Sequence, residues 1–182
     1  MVISFTGAQS TGKTTLLKKI SYQKRFKGFK KVPEVTRLVK KKYGLDINEE
    51  GDNITQLAIL NAHLENYLKF RDKNVVLDRC ILDGLVYTSY LMHTKKVSEE
   101  VADHAEFLFK TLIDKVDIIF YTEADIPLVD DGERSVNVEF RNDILNLFEL
   151  AIEHFNINVV RLSGTVKERI ETINKTIDNY GK

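Results

Sequence analysis

The segment GAQSTGKTT, residues 7–15, restricts the possible folds of this chain more than any other stretch. Its first eight residues read G-x-x-x-x-G-K-T, and they lie between the apolar segment MVISF and the segment LLKKI. Glycine allows backbone dihedrals that are closed to other residues, so successive N–H groups can converge on phosphate oxygens at the positive end of the following helix. The order strand, loop, helix predicts a phosphate-binding loop of an α/β protein. The alternative is a glycine-rich turn with an incidental lysine.

The polar side chains of this loop have expected roles toward a nucleoside triphosphate. Lys13 would place a positive charge near the β- and γ-phosphates, and Thr14 would offer a hydroxyl to Mg²⁺. We expect the triphosphate to be bound by Gly7, Gln9, Ser10, Thr11, Gly12, Lys13, Thr14 and Thr15. Asp78 ends the apolar run NVVL and would hold the metal directly or through water, although a strand-ending aspartate can also cap the next turn.

Apolar runs and helical periodicities alternate along the chain. Short apolar runs predict strands at residues 2–5, 31–35, 74–78, 117–122 and 158–162. Between them, apolar residues recur at helical spacing in three sets: Val101, Ala105, Leu108 and Leu112; Phe140, Ile144, Phe148 and Ala151; Val166, Ile170, Ile173 and Ile177. Thr165 and Glu168 fit a capping box that starts the last helix. The alternation predicts a parallel sheet covered by helices on both faces.

Composition limits the domain count, the compartment and the partners. The 182 residues suit a single domain, 1–182, and 27 basic against 27 acidic residues leave no overall field to attract nucleic acid or a membrane. Cys80 is the only cysteine, which favours a reducing compartment and a buried, inert thiol. No signal peptide and no apolar run near the ~20 residues of a membrane helix are present, so we expect a cytoplasmic protein. The histidines His63, His93, His104 and His154 show no metal-ligand spacing.

Other classes of nucleotide-binding protein fit the sequence less well. A GTPase needs N-K-x-D, and the nearest match, NKTID at residues 174–178, has its aspartate one place late and lies inside the last predicted helix. Helicases and mechanical ATPases usually carry more chain, and the zero net charge argues against a nucleic-acid track. A small-molecule kinase remains.

The ordered motifs resemble those of the P-loop nucleoside and nucleotide kinases. They are similar to the ATPase/kinase group that includes nicotinamide riboside kinase domains and many phage-encoded kinases, and also to thymidylate and deoxynucleoside kinases. The similar segments are GAQSTGKTT (7–15), VPEVTR (32–37), VLDRCILDG (76–84), DDGERS (130–135) and VVRLSGTVKER (159–169). The resemblance implies a five-stranded parallel sheet in the order 2-3-1-4-5, with ATP as the phosphoryl donor. The acceptor is expected across the carboxyl ends of the strands, as in other open α/β sheets.

The resemblance assigns Glu34 as the carboxylate that takes the proton from the attacking hydroxyl. The alternative is an exposed loop glutamate, or one that simply pairs with Arg37. Arg37 would grip an acceptor phosphate. It also opens a basic stretch, Lys40 to Lys42, of the kind found on solvated helix faces.

The pair Asp78-Arg79 resembles the acidic residue and arginine with which these kinases orient their acceptors. This makes Arg79 an active-site cation and adds Asp78 to the acceptor side. Asp83 would contact the acceptor's sugar, or else serve as the N-cap of the helix GLVYTSYLM. Tyr87 would stack on an acceptor base, or else belong to the core.

Residues of about 125–136 resemble the lid that closes over the phosphates in this family. Arg134 is the expected source of transition-state charge, and Arg141 is the second candidate beside the nucleotide; each has a surface ion pair as its alternative. Gly164 lies in the segment LSGT, which resembles the loop whose backbone contacts adenine.

The sequence therefore predicts a single-domain kinase that transfers the γ-phosphoryl group of Mg-ATP to a nucleoside or nucleoside monophosphate. The alternative is an ATPase switch that controls a protein partner. The expected partner is a small-molecule acceptor, without nucleic acid or membrane, and the resemblance implies a possible homodimer.

Overall fold

The structure of the protein is a computed structural model that describes residues 1–126 and 137–180. These residues form five strands and seven helices, with short 3₁₀ turns between some of them. The elements are β1 (Val2–Thr6), α1 (Lys13–Ile20), β2 (Lys30–Val32), α2 (Val35–Tyr43), α3 (Asn53–Phe70), β3 (Val75–Asp78), α4 (Ile81–His93), α5 (Glu99–Leu112), β4 (Ile118–Thr122), α6 (Val138–His154), β5 (Val160–Leu162) and α7 (Val166–Asn179).

The strands form one parallel sheet in the order β2-β3-β1-β4-β5, which confirms the predicted topology. Strand β1 lies in the middle, where Phe5 is level with Asp78 of β3 and Thr6 with Tyr121 of β4. Because the strands are parallel, their carboxyl ends share one edge of the sheet. The loops that follow β1, β3 and β4 therefore meet at that edge.

Helices cover both faces of the sheet and bury two apolar layers. One layer packs α4, α5 and α6 together, with Leu82, Phe109 and Phe148 almost fully buried. The other packs α1 and α7 on the sheet through Leu16 and Ile173. Apolar burial on both faces explains why β1 and β4 are nearly continuous apolar runs.

The predicted apolar stripes of α5 and α6 face the core. The four residues of the α5 stripe are all buried, and Phe140, Ile144 and Phe148 of α6 are buried as well. The α7 stripe is more exposed at its start, where Val166 keeps 37% of its surface accessible. The capping box of Thr165 and Glu168 is present. Within the described ranges, no helix is long and apolar enough to cross a membrane.

Three local expectations differ from the structure. The strand expected at 31–35 ends at Val32, because Pro33 and Glu34 leave the sheet and Val35 already starts α2. The helix expected from Gly84 begins at Ile81, with Cys80 as its N-cap. Helix α3 was not predicted at all, since its buried face mixes polar Thr55, Gln56 and His63 with apolar residues.

Candidate active site

The loop between β1 and α1 needs glycine at both ends. Gly7 has a φ of 127°, and a Cβ atom there would lie 2.8 Å from Thr122 Oγ1 and 2.9 Å from the Thr122 carbonyl oxygen. Gly12 is the N-cap of α1 with a φ of 89°. Both positions demand a left-handed or extended positive-φ backbone that L side chains rarely adopt, so the loop bends tightly onto the N-terminus of α1.

Lys13 lies inside the loop rather than in solvent. Its Nζ donates hydrogen bonds to the carbonyl oxygens of Gly7 (2.7 Å) and Ala8 (2.5 Å) and to Thr11 Oγ1 (3.1 Å). Burial, with the nearby charge of Arg79, lowers the pKa of Lys13 to about 7. The amine is thus held next to the backbone on which phosphate would bind.

Two buried arginines anchor the loop through its carbonyl oxygens. Arg141 Nη2 donates to the carbonyls of Ile126 (3.0 Å) and Ser10 (3.5 Å). Arg141 is buried, so it does not lie at the surface, as the alternative of a surface ion pair required. Arg169 Nη1 donates to the Thr11 carbonyl (2.7 Å). Sequence reasoning missed Arg169, although it ends the segment VVRLSGTVKER.

Gly164 and Asp125 complete the network around Arg169. Gly164 has a φ of 78°, its carbonyl accepts from Arg169 Nε at 3.0 Å, and its N–H donates to Asp125 Oδ2 at 2.5 Å. Asp125 also forms an ion pair with Arg169. The contacts connect the loop after β5 to the phosphate loop; a contact of Gly164 with adenine remains a prediction.

Gln9 provides an unsatisfied donor inside the phosphate loop. Its side chain is 4% exposed, and its Oε1 accepts a hydrogen bond from the Tyr87 hydroxyl at 3.3 Å. Its Nε2 is buried without a hydrogen-bond partner among the described residues. Buried donors are rarely left unpaired in folded proteins, so this amide fits a ligand oxygen at the loop.

Thr14 and Asp78 carry the oxygen atoms that the sequence assigns to a magnesium site, and this role stays a prediction. Asp78 ends β3 half-buried, and burial together with the Glu34 carboxylate raises its pKa. Within the described ranges no three His, Cys, Asp or Glu side chains form a metal-binding group. A single carboxylate and a hydroxyl suit Mg²⁺, which keeps water and substrate phosphate among its ligands.

Arg79 connects the phosphate loop to the acidic residues of the site. Its Nη1 donates to the Gly7 carbonyl (3.1 Å) and to Asp83 Oδ1 (2.8 Å), and its Nε donates to Glu34 Oε1 (2.7 Å). Its φ of 71° is a left-handed value, unusual for a non-glycine residue and typical of functional sites. The guanidinium also lies over the ring of Tyr87, 5.2 Å from its centroid.

Glu34 lies two residues after the end of β2 and occupies the N-cap position of α2. Its second oxygen pairs with Arg37 Nε at 3.1 Å, so the pairing considered as an alternative is present beside the contact with Arg79. Burial acts to raise the pKa of Glu34, but the charges of Arg79, Lys13 and Arg37 outweigh it and hold the pKa below its usual value. Glu34 is therefore a carboxylate at neutral pH.

Asp83 is not the N-cap of its helix, contrary to one of the two expectations. It is the third residue of α4, where its Oδ2 accepts from the Cys80 N–H (3.0 Å) and the Thr6 hydroxyl (2.7 Å). The side chain is 3% exposed. Asp83 therefore holds Arg79 in place. The Cys80 thiol is buried, and burial raises its pKa to about 12.

A small cavity adjoins Glu34, and we call it the Glu34 cavity. Its volume is about 20 Å³. It is lined by Glu34, Thr36, Asn48, Gln56, Ile59, His63, Arg79, Asp83, Gly84 and Tyr87. Tyr87 is thus beside the cavity, while its ring also packs edge-on against Phe140 at 6.0 Å. Gln56, His63 and Asn48 were not predicted as site residues, because nothing in their spacing marks them.

His63 is expected to make the protein less stable in acid. Burial lowers its pKa to about 4, against the opposing charge of Asp83. An unfolded histidine titrates near ~6.5, so the unfolded state binds the extra proton first, and stability falls as the pH drops from about 6.5 toward 4. Between pH 7 and pH 5 wild-type protein should lose about 2 kcal/mol more of its unfolding free energy than His63→Gln, measured by urea denaturation. The exposed His154, changed to Gln, serves as the control, and equal pH slopes for wild type and His63→Gln would contradict the expectation.

The expected lid lies mostly outside the described residues. Residues 127–136, which include Arg134 and most of the segment expected at about 125–136, are not described. The role of Arg134 stays a prediction.

Comparison with known proteins places the chain in a family. A family model described as an AAA domain matches residues 2–169, and the chain belongs to this family. Its fold, a P-loop domain with a five-stranded parallel sheet, is similar to that of the deoxyadenosine kinase from M. mycoides.

Two groups of solved structures are similar over the whole chain. NadR in complex with NR superposes with a TM-score of 0.70 at 19% identity, covering 100% of this chain and 51% of NadR. NadR with NAD and AMP-PNP gives 0.72 at 19% identity, with coverage of 100% and 49%. Deoxyadenosine kinase from M. mycoides, with dCMP and dCDP bound, gives 0.71 at 16% identity, with 98% of each chain covered. The chain thus spans about half the length of NadR and the full length of the deoxyadenosine kinase.

Proposed function

We propose that this protein is a P-loop kinase that transfers the γ-phosphoryl group of Mg-ATP to a nucleoside or nucleoside monophosphate. The observation that carries the proposal is the position of Arg79. One guanidinium bonds both the Gly7 carbonyl of the phosphate loop and the Glu34 carboxylate of the neighbouring cavity. An acceptor held at Glu34 would therefore lie next to a phosphate held by the loop.

The donor side of the proposed reaction depends on position and charge. The loop amides and Lys13 would bind the β- and γ-phosphates, and Gln9 Nε2 offers one further donor. Thr14 and Asp78 would hold Mg²⁺, which when bound neutralises charge on the phosphates.

The acceptor side depends on the cluster around Arg79. The ionised Glu34 would take the proton from an attacking hydroxyl, and Arg79 would orient the acceptor while Asp83 holds Arg79 in place. Arg37 would contact an acceptor phosphate, and Tyr87 would border its base.

Binding of an acceptor would require the Glu34 cavity to widen. Its volume of about 20 Å³ is far below the ~300–1,000 Å³ of ordinary ligand pockets. Widening on binding would assemble the site only when the acceptor is present, which would limit transfer of the phosphoryl group to water. The proposed lid, which includes Arg134, would likewise complete the site only when the acceptor is present.

The contents of similar structures agree with these two subsites. NadR was solved with NR and with NAD and AMP-PNP, and the deoxyadenosine kinase was solved with dCMP, dCDP and dATP. All of these are nucleosides or nucleotides, which supports a nucleoside-type acceptor beside the ATP loop.

The release of ADP from Mg-ATP, measured with panels of nucleosides and nucleoside monophosphates, tests the proposal. We expect at least one acceptor to raise turnover to on the order of 1–100 s⁻¹, the usual range of kinases. A thermal shift with the same panels should identify the same acceptor, because a ligand of the folded state raises its apparent stability. If no acceptor raises the rate and a protein partner does, the protein is an ATPase switch instead.

A further inference from the structure

His63 is a buried titratable side chain that the proposed mechanism does not use. It lies on α3, is 7% exposed and forms part of the wall of the Glu34 cavity. Within the described ranges its imidazole has no hydrogen-bond partner. Burial keeps the pKa of the ring at about 4, so it is uncharged at neutral pH, with one nitrogen that donates and one that accepts.

The charged groups in the same wall are already paired. Glu34 binds Arg79 through one oxygen and Arg37 through the other. Asp83 binds Arg79 through Oδ1, and its Oδ2 accepts from Thr6 and from the Cys80 N–H. Each carboxylate oxygen in the wall thus has a protein donor. His63 offers hydrogen-bonding capacity that the protein itself does not use.

A second cavity is also lined by His63. It measures about 40 Å³ and shares His63 and Arg79 with the Glu34 cavity. Most of its remaining wall is apolar, including Phe70, Leu77 and Leu112. The imidazole therefore borders two cavities.

We propose that His63 hydrogen-bonds the base of the acceptor and that this base is an uncharged heterocycle. The proposal rests on the proposed kinase function and names the substrate class of that site. A neutral ring nitrogen or exocyclic amine can pair with either imidazole nitrogen. A permanently cationic ring would meet carboxylates whose charge is already balanced by Arg79 and Arg37, and burial of an unpaired charge is unfavourable.

The test compares neutral and cationic acceptors on wild type and three variants. The neutral acceptors are 2′-deoxyadenosine, 2′-deoxycytidine and their 5′-monophosphates, and the cationic one is nicotinamide riboside. The variants are His63→Leu, which removes the hydrogen bond at similar size, His63→Gln, which keeps an amide donor and acceptor, and His154→Gln as the exposed control. The readouts are KM for acceptor, KM for ATP and kcat.

We expect His63→Leu to raise the KM of a neutral acceptor about tenfold, as is usual when a buried polar group loses its partner, and to leave the KM for ATP unchanged. His63→Gln should stay within about threefold of wild type, and His154→Gln should match it. A merely structural role of His63 would disturb both KM values or neither.

Deaza analogues of 2′-deoxyadenosine provide a test on unchanged protein, should both His63 variants fail to fold. Loss of one ring nitrogen should raise KM about tenfold in wild type. In a folded His63→Leu variant the analogue and the parent nucleoside should have equal KM values, since the two changes remove the same interaction.

Four results would overturn the inference. If neutral acceptors have an unchanged KM in His63→Leu, His63 does not recognise the base, although the kinase function still stands. A preference of wild type for nicotinamide riboside would contradict an uncharged base and would also leave the kinase function standing. Deaza analogues that all bind equally well would contradict a hydrogen bond to the base. Absence of turnover with every acceptor would overturn the proposed function, and the inference with it.

Discussion

Replacing Lys13 by alanine should lower kcat by on the order of 10²–10³-fold, because one preorganised charge at the phosphate-binding loop would be lost. The Nζ of Lys13 lies within 3.1 Å of three loop oxygens, so it is placed by the loop that would also bind the phosphates. The affinity of the protein for Mg-ATP should fall as well. Single-turnover assays and calorimetric titration with Mg-ATP measure the two effects separately.

The controls for this prediction separate charge from packing. Lys13→Met keeps most of the buried stem and should be as inactive as Lys13→Ala while unfolding closer to wild type. Lys18→Ala changes an exposed lysine on the same helix and should behave as wild type. Wild-type ATP affinity and turnover in Lys13→Ala would remove the phosphate loop from the mechanism.

The fold could be predicted because its determinants are local. The phosphate loop, the buried strands and the stripes of α5 and α6 each follow from neighbouring residues. The order of the strands came from the resemblance and agrees with the structure.

The contacts within the acceptor side could not be predicted, because they join distant segments of the chain. Arg79 bonds Glu34, which is 45 residues away, and Thr6 bonds Asp83 across 77 residues. Helix α3 went unpredicted for a related reason: its buried face carries Gln56 and His63, which line the Glu34 cavity. Polar residues at buried positions blur the apolar periodicity on which helix prediction depends.

The boundary errors have the same physical origin. Asp83 resembles an N-cap, yet it accepts the Cys80 N–H from the third position of the helix and also holds Arg79. One carboxylate serves the helix start and the site together, whereas the sequence presented a site role and a cap role as alternatives. Arg169 was missed because a buried arginine that binds carbonyl oxygens has no sequence signature.

Replacing Glu34 by glutamine distinguishes between the two classes of acceptor. If the acceptor is a hydroxyl, Glu34→Gln should lower kcat by on the order of 10²–10⁴-fold, the usual contribution of a general base. If the acceptor is a phosphate, it is already anionic, needs no base and should be turned over almost as fast as by wild type. Steady-state rates with matched nucleosides and monophosphates measure the difference.

Arg37→Gln should impair a monophosphate acceptor more than a nucleoside acceptor, which is the opposite of the result expected for Glu34→Gln. Arg37 binds Glu34 at 3.1 Å and keeps 38% of its side chain exposed at the edge of the site. Its loss should weaken a monophosphate acceptor about tenfold, the lower end of the range for a hydrogen bond to a charged group, with a smaller effect on a nucleoside. Glu171→Gln removes a surface carboxylate that pairs with Lys167, and it is the control for the loss of a charge outside the site.

The Glu34 result must also be separated from a displaced Arg79. The glutamine Oε1 can still accept from Arg79 Nε, whereas its amide NH₂ would face the donors of Arg37, so the cluster would change mainly on the Arg37 side. Arg37→Gln removes that same contact while leaving the carboxylate. A nucleoside rate that falls in Glu34→Gln but not in Arg37→Gln therefore identifies proton abstraction by Glu34, and equal losses in both variants would assign Glu34 to the structural support of the arginines.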